Sequence, residues 1–365
     1  MRSKKKVIFP FTGDSFGGSH KSSMSLIKNI SLFNYEPIVF LHKNGKLTEY
    51  LNDQNIKWIN NNYAKKIFEG NIRLNFYLIF SLLYRYIKIL KKLDVDIVHT
   101  NDLRMHLTWF LPCRILKIKH VWHQRSAGGK QMNLAIFSSA IITISKFCKN
   151  TFPSYILNKT HIVKNPIEIT NNLYPLENNS SKYFSICVIA NINAQKRIDT
   201  AINVISSLKN QTDIFFKLKL FGEKREPTFS IIENLIKEKN VTNEVEFMGV
   251  KSPIEPWLLK CDILLATAEN EGSGRSLLEA MFLGIPVVAS NSGGHAEIIT
   301  NKVNGFLVDL EDVNGYKNAI ISLTKNVNLK NKIIKNAKDF VIKNFNVDSH
   351  LREIVNIYNQ ILNGK

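Results

Sequence analysis

The sequence has few cysteines, no long apolar run, and a shortage of acidic side chains confined to one half. Its 365 residues include four cysteines, Cys113, Cys148, Cys187 and Cys261, which are widely spaced with no C-x-x-C pair. That spacing disfavours a disulfide framework and structural zinc, and it fits a reducing cytoplasm. A chain this long buries enough core to need no staples. No apolar run approaches the roughly 20 residues that cross a bilayer, so no membrane span is expected. The first residues are basic, but only VIFPF follows before Thr12-Gly13. A secretory signal needs a longer apolar segment, so secretion is not expected.

Charge is distributed unevenly. The chain carries 49 Lys+Arg against 30 Asp+Glu, a net +19. Residues 1–170 hold 26 basic and 9 acidic side chains, and residues 171–365 hold 23 and 21. The excess in the first half implies a polyanionic partner: nucleic acid, an anionic membrane surface or a phosphate-bearing substrate. An AT-rich genome also inflates Lys, but it should load both halves alike.

Both halves alternate short apolar runs with segments of helical length, which argues parallel sheets covered by helices. The first half has runs at 7–11, 37–41, 96–100, 120–124, 140–145 and 161–165; the second has them at 183–190, 214–222, 245–249, 263–267, 286–290 and 305–308. Residues 166–182, rich in Asn, Ser and Pro, read as a linker. The expected organisation is an N-terminal Rossmann-like domain (1–165), the linker, a C-terminal Rossmann-like domain (183–345), and a final helix (346–365) that can pack back on the first domain. Two such domains leave a cleft at the carboxyl ends of their strands, where ligands of these sheets bind.

Residues 267–299, TAENEGSGRSLLEAMFLGIPVVASNSGGHAEII, carry the sharpest signal. A strand ends at Thr267, a Gly-rich loop follows, and a helix starts near Arg275. Free N–H groups at a helix start attract phosphate. Gly272 and Gly274 allow close approach to the backbone. Glu271 and Glu279, spaced Glu-x7-Glu, suit hydroxyl groups such as those of sugar and ribose.

This segment resembles the retaining glycosyltransferases of family 4, which have the GT-B fold. The matching residues are Glu271-Gly272-Ser273-Gly274-Arg275, Glu279-Ala280-Met281, Gly284, Pro286-Val287-Val288-Ala289, Gly293-Gly294 and Glu297, with Ser273 in place of the usual aromatic. The resemblance implies that Glu271 contacts the donor sugar, that Glu279 binds the ribose, and that Gly274, Arg275 and Ser276 lie on the donor. VIANINAQKRID (188–199) places Lys196 on the family's lysine, which neutralises the donor pyrophosphate. Asn191 stands where the family has Arg, and Arg197 is the nearby candidate replacement. Gly17-Gly18 resembles the family's N-terminal glycine pair over the donor phosphates; its spacing from Gly13 is not the dinucleotide fingerprint.

His123 ends an expected strand, and the family often has there a His that hydrogen-bonds the transferred sugar. Arg125 can meet a phosphate. His99 also ends a strand. Asp94-x-Asp96 begins a strand, a structural placement rather than a metal site. Residues 65–92 set an apolar, aromatic centre between basic ends, the pattern of an interfacial helix, an acyl-chain groove or a buried helix.

The resemblance thus implies an α/β GT-B enzyme. It moves a sugar with retention from a nucleotide-sugar, UDP ahead of GDP, to a glycan acceptor. The expected acceptor is a lipid-linked or polysaccharide glycan of bacterial surface synthesis: O-antigen, capsule or lipopolysaccharide. The catalytic candidates are Glu271, His123 and Lys196. No cofactor, metal or nucleic acid is expected, and the expected location is the inner face of the cytoplasmic membrane. The other readings are a GT-B sugar-nucleotide epimerase, a family that lacks Glu-x7-Glu, and a basic nucleic-acid-binding protein, for which no recognition motif appears.

Overall fold

The computed structural model describes residues 4–60, 76–128, 130–168, 183–211 and 213–364. The chain forms two compact units, one of Met1–Glu168 with Val347–Lys365 and one of Ile169–Asn346.

The first unit holds strands β1 (Lys5–Phe11), β2 (Tyr35–Leu41), β3 (Trp58–Asn60), β4 (Ile97–Thr100), β5 (Lys119–Gln124), β6 (Ala140–Thr143) and β7 (Thr160–Ile162). They pair in parallel in the order β3-β2-β1-β4-β5-β6-β7. The second unit holds β8 (Phe184–Ile189), β9 (Phe216–Phe221), β10 (Val245–Gly249), β11 (Ile263–Ala266), β12 (Val287–Ser290) and β13 (Phe306–Val308). These also pair in parallel, in the order β10-β9-β8-β11-β12-β13. Two doubly wound parallel sheets make this the α/β GT-B fold class. Each expected apolar run overlaps a strand, because strands covered on both faces read as continuous apolar stretches. β3 has no counterpart among those runs, since Trp-Ile-Asn is too short to stand out.

Strand order reverses beside β1 in the first unit and beside β8 in the second. Chains leaving β1 and β4, or β8 and β11, therefore depart in opposite directions and leave a crevice at the strands' carboxyl ends. That topology positions the functional loops described below.

The helix Val347–Leu362 belongs to the first unit, where Leu351, Ile354 and Tyr358 share a core with Phe9 and Ile97. Of the stretch 65–92, residues 65–75 lie outside the described residues. Phe76–Leu93 is a helix that buries Tyr86 and Leu90 against Val98 and Trp109, with Arg85, Lys88, Lys91 and Lys92 at exposed positions. No helix among the described residues is long and apolar enough to cross a membrane. Of the expected linker, 169–182 lie outside the described residues. Asp96 accepts from Lys6 N at 2.8 Å and from Lys5 Nζ at 3.0 Å, so it ties β1 to β4. Among the described residues no cluster of three His, Cys, Asp or Glu could hold a metal.

The β8–β11 pairing has a similar tie at its start. Asp262 Oδ2 accepts from Ser185 N at 2.8 Å and from Ser185 Oγ at 3.1 Å, and Asp262 N donates to Ser185 O at 2.9 Å. Asp262→Ala strands the buried Ser185 N–H. An unsatisfied buried donor costs about 1–3 kcal/mol. Urea unfolding of the variant should show a loss of that size, and an unchanged midpoint contradicts this role.

Candidate functional site

In the second unit two loops leave the switch point, one after β8 and one after β11. Three hydrogen bonds join them. Thr267 Oγ1 donates to Lys196 O at 2.9 Å, Glu269 N to Gln195 O at 2.8 Å, and Gln195 Nε2 to Asn270 O at 3.1 Å. The consequence is an ion pair between residues 75 apart in sequence, Lys196 Nζ on Glu271 Oε2. Burial pushes the Glu271 carboxyl up. The Lys196 charge and hydrogen bond, the His295 ring and the Gly274 backbone together pull it below the usual range.

A third loop supports the pair from behind. Gly294 N donates to Glu271 O at 2.7 Å, and Asn270 N donates to Ser292 Oγ at 2.9 Å. Gly293 has φ +55°, and a Cβ there would lie 2.5 Å from Glu271 O. A Cβ on Gly294 would lie 2.6 Å from Gly272 O. Both glycines are therefore fixed by packing against the Glu271 loop.

His295 follows them and escaped the sequence analysis. Ser290 Oγ donates to Ala268 O at 2.5 Å and lies 3.0 Å from His295 Nδ1. A hydroxyl has one proton, so Ser290 accepts from Nδ1–H. Burial lowers the His295 pKa to about 4, so the ring is neutral near pH 7. Lys196, Thr267, Glu271, Ser276 and His295 line one small pocket. The only signal for His295 in the sequence was its place after the glycine pair.

The helix Arg275–Phe282 starts at Gly274, which has φ +57° and caps it in the left-handed conformation. Arg275 Nε donates to Glu279 Oε1 at 2.9 Å, one turn in, and both side chains are largely covered. The carboxylate has lone pairs left for further donors. Arg197 takes a different course from Lys196. Its guanidinium lies 3.2 Å from Asp199 and 3.7 Å from Glu311. Asn191 Oδ1 accepts from Glu223 N at 3.0 Å, so it braces the loop.

The first unit gathers a separate set. Gly17 caps the helix Gly18–Asn29, donates its N–H to His20 Nδ1 at 3.2 Å, and has open space where a Cβ would stand. His123, on β5, is fully buried, with Nδ1 at 3.0 Å from His99 Nε2 and 3.3 Å from Arg125 NH2. Arg125 also donates to Asn101 Oδ1 at 3.0 Å and Asn165 Oδ1 at 2.5 Å. Two carboxamides therefore help to hold Arg125 in place.

Residues 175–340 match the family model described as glycosyl transferases group 1. An uncharacterized glycosyltransferase of Methanocaldococcus jannaschii is 28% identical over 226 residues, 61% of this chain and 60% of that protein. An Escherichia coli protein named UDP-Gal:alpha-D-GlcNAc-diphosphoundecaprenol alpha-1,3-galactosyltransferase is 26% identical over 121 residues, 33% of this chain and 31% of that protein. The alignments thus span less than two thirds of these curated relatives. The crystal structure of Anabaena HepE in complex with UDP superposes with a TM-score of 0.79, covering 98% of this chain and all of that one. At 19% identity this likeness shows the fold alone.

Gly293→Ala tests the third loop. Alanine at a positive φ with a blocked Cβ is destabilising by more than about 1 kcal/mol. Thermal unfolding should show a lower midpoint. A midpoint equal to that of the parent protein contradicts the packing argument.

Proposed function

We propose that the chain, whose residues 175–340 match the glycosyl transferases group 1 model, moves a sugar, with retention at the anomeric carbon, from a nucleotide-sugar to a glycan acceptor. The observation that carries this reading is the Lys196–Glu271 pair at the carboxyl ends of β8 and β11, beside the start of the Arg275–Phe282 helix.

The donor diphosphate draws Lys196 away from Glu271 and lies against the Gly274, Arg275 and Ser276 helix start. The helix dipole favours an anion there. As the bond from the anomeric carbon to the diphosphate oxygen breaks, charge collects on the leaving group, where a fixed cation stabilises it most. The acceptor hydroxyl forms the new bond on the same face, and its proton passes to the departing phosphate. Glu271, released from Lys196, faces the donor sugar. Glu279, oriented by Arg275, accepts from the ribose hydroxyls. Gly17 and Gly18 lie over the phosphates; the open space at Gly17 is a demand that the chain's own packing does not make. His123 donates to the transferred sugar, and Arg125 stands on the phosphate side. Lys196 and the helix start supply the positive field, so we assign no cofactor and no metal requirement.

The UDP complex of the Anabaena protein and the name of the Escherichia coli relative support a UDP-sugar and a lipid-linked acceptor. The relative's acceptor chemistry also favours bacterial surface glycan synthesis as the setting. The +17 balance of residues 1–170 and the exposed cations of the Phe76–Leu93 helix support peripheral attachment to an anionic membrane on its cytoplasmic side. Each such cation near an anionic surface contributes about 1 kcal/mol.

One assay tests the reading. The purified protein is offered a panel of nucleotide sugars, with a polyprenyl-diphosphate-linked glycan in anionic or neutral vesicles, and released nucleotide is measured. One UDP-sugar should be turned over, faster on anionic vesicles and undiminished by EDTA. Lys196→Ala should lower kcat about 10²–10³-fold. No turnover of any donor overturns the function. Near-normal kcat in the variant overturns the role of Lys196.

A further inference from the structure

Three rings and a guanidinium form a hydrogen-bonded chain inside the first unit. Tyr358, on the Val347–Leu362 helix, places its hydroxyl 2.5 Å from His99 Nδ1. His99, on β4, places Nε2 3.0 Å from His123 Nδ1. Arg125 NH2 lies 3.3 Å from that same Nδ1. The members come from β4, β5, the segment after β5 and the last helix, and His99 and Tyr358 are 259 residues apart.

The direction of every bond follows from one donor-only group. An arginine nitrogen donates and never accepts, so His123 Nδ1 accepts and the ring carries its proton on Nε2. His99 Nε2 then faces an acceptor and must donate. That leaves His99 Nδ1 to accept, and Tyr358 donates to it. Burial holds both histidines well below their ordinary range, with the Arg125 charge adding to it, so both rings are neutral. Burial likewise pushes the Tyr358 hydroxyl well up, so it keeps its proton. Arg125 is itself fixed by Asn101 and Asn165.

The outcome is a fully buried Nε2–H on His123 with no partner among the described residues. A buried donor left unpaired is costly, and a ligand oxygen relieves it. We propose that Arg125 is the positioning residue that locks His123 as its Nε2–H tautomer, and through it orders His99 and Tyr358, so that the His123 ring can only donate to an oxygen of the bound sugar. This rests on the glycosyltransferase reading for the ligand, while the tautomer itself does not depend on it.

The test uses the full chain, with histidine labelled at both ring nitrogens, in long-range proton–nitrogen spectra. His123→Asn assigns the His123 signals. In the parent protein His123 should show a protonated Nε2 and a bare Nδ1. In Arg125→Met, which deletes the donor-only group, His99 and His123 should show both tautomers while circular dichroism stays native; in Tyr358→Phe, which leaves Arg125 in place, the His123 tautomer should not change. A protonated Nδ1 on His123 in the parent, or unchanged tautomers in Arg125→Met, overturns the relay. Correct tautomers in a parent protein that turns over no nucleotide-sugar uphold the relay and count against the transferase reading instead.

Discussion

The ion pair between Lys196 and Glu271 is the constraint around which the second unit is arranged. Neither residue lies in regular structure that would hold it there. Lys196 ends a single 3₁₀ turn, and Glu271 sits in a glycine-rich loop. They meet because β8 and β11 are neighbours at the point where strand order reverses, and because Thr267 and Gln195 bind the two loops to each other. Gly293, Gly294 and His295 then close the Glu271 loop from behind. An ion pair so placed is weak as a source of stability. Its value is that it keeps a cation and a carboxylate oriented at the mouth of a helix that favours anions.

The two units use charge differently. In the second, Arg197 and Arg275 are each set against carboxylates, so local charge is nearly balanced. In the first, Arg125 is held by neutral carboxamides, and most of the chain's excess cations surround it in sequence. The histidines beside it, 99 and 123, are buried and neutral, so their contribution is donor placement rather than charge.

Much of the architecture was legible because buried parallel strands announce themselves as apolar runs. Strand ends were less so: the run at 161–165 only overlaps β7, which spans Thr160–Ile162. Short β3 carried no signal at all. Within the site, Glu271 and Glu279 stood out because their spacing falls in a strand, loop and helix context, and Lys196 stood out through the resemblance of residues 188–199 to the family. His295 did not, since a single histidine after two glycines has no periodicity to mark it. The partners of Arg197 and Arg125 were equally hidden, because Glu311 and Asn165 are distant in sequence and only the fold selects them. Tyr358 was the least visible, on a terminal helix that reads from sequence as an ordinary amphipathic segment.

The central claim is that Lys196 is held by Glu271 until a diphosphate takes it. Calorimetric titration with UDP, which lacks the sugar that Glu271 faces, isolates that exchange. Across a double-mutant cycle of Glu271→Gln and Lys196→Ala, Glu271→Gln alone should bind UDP about two- to fivefold more tightly, the weight of a partly exposed ion pair. The gain should vanish in the Lys196→Ala background. Unchanged or weaker binding by Glu271→Gln, or a gain that persists without Lys196, contradicts the account.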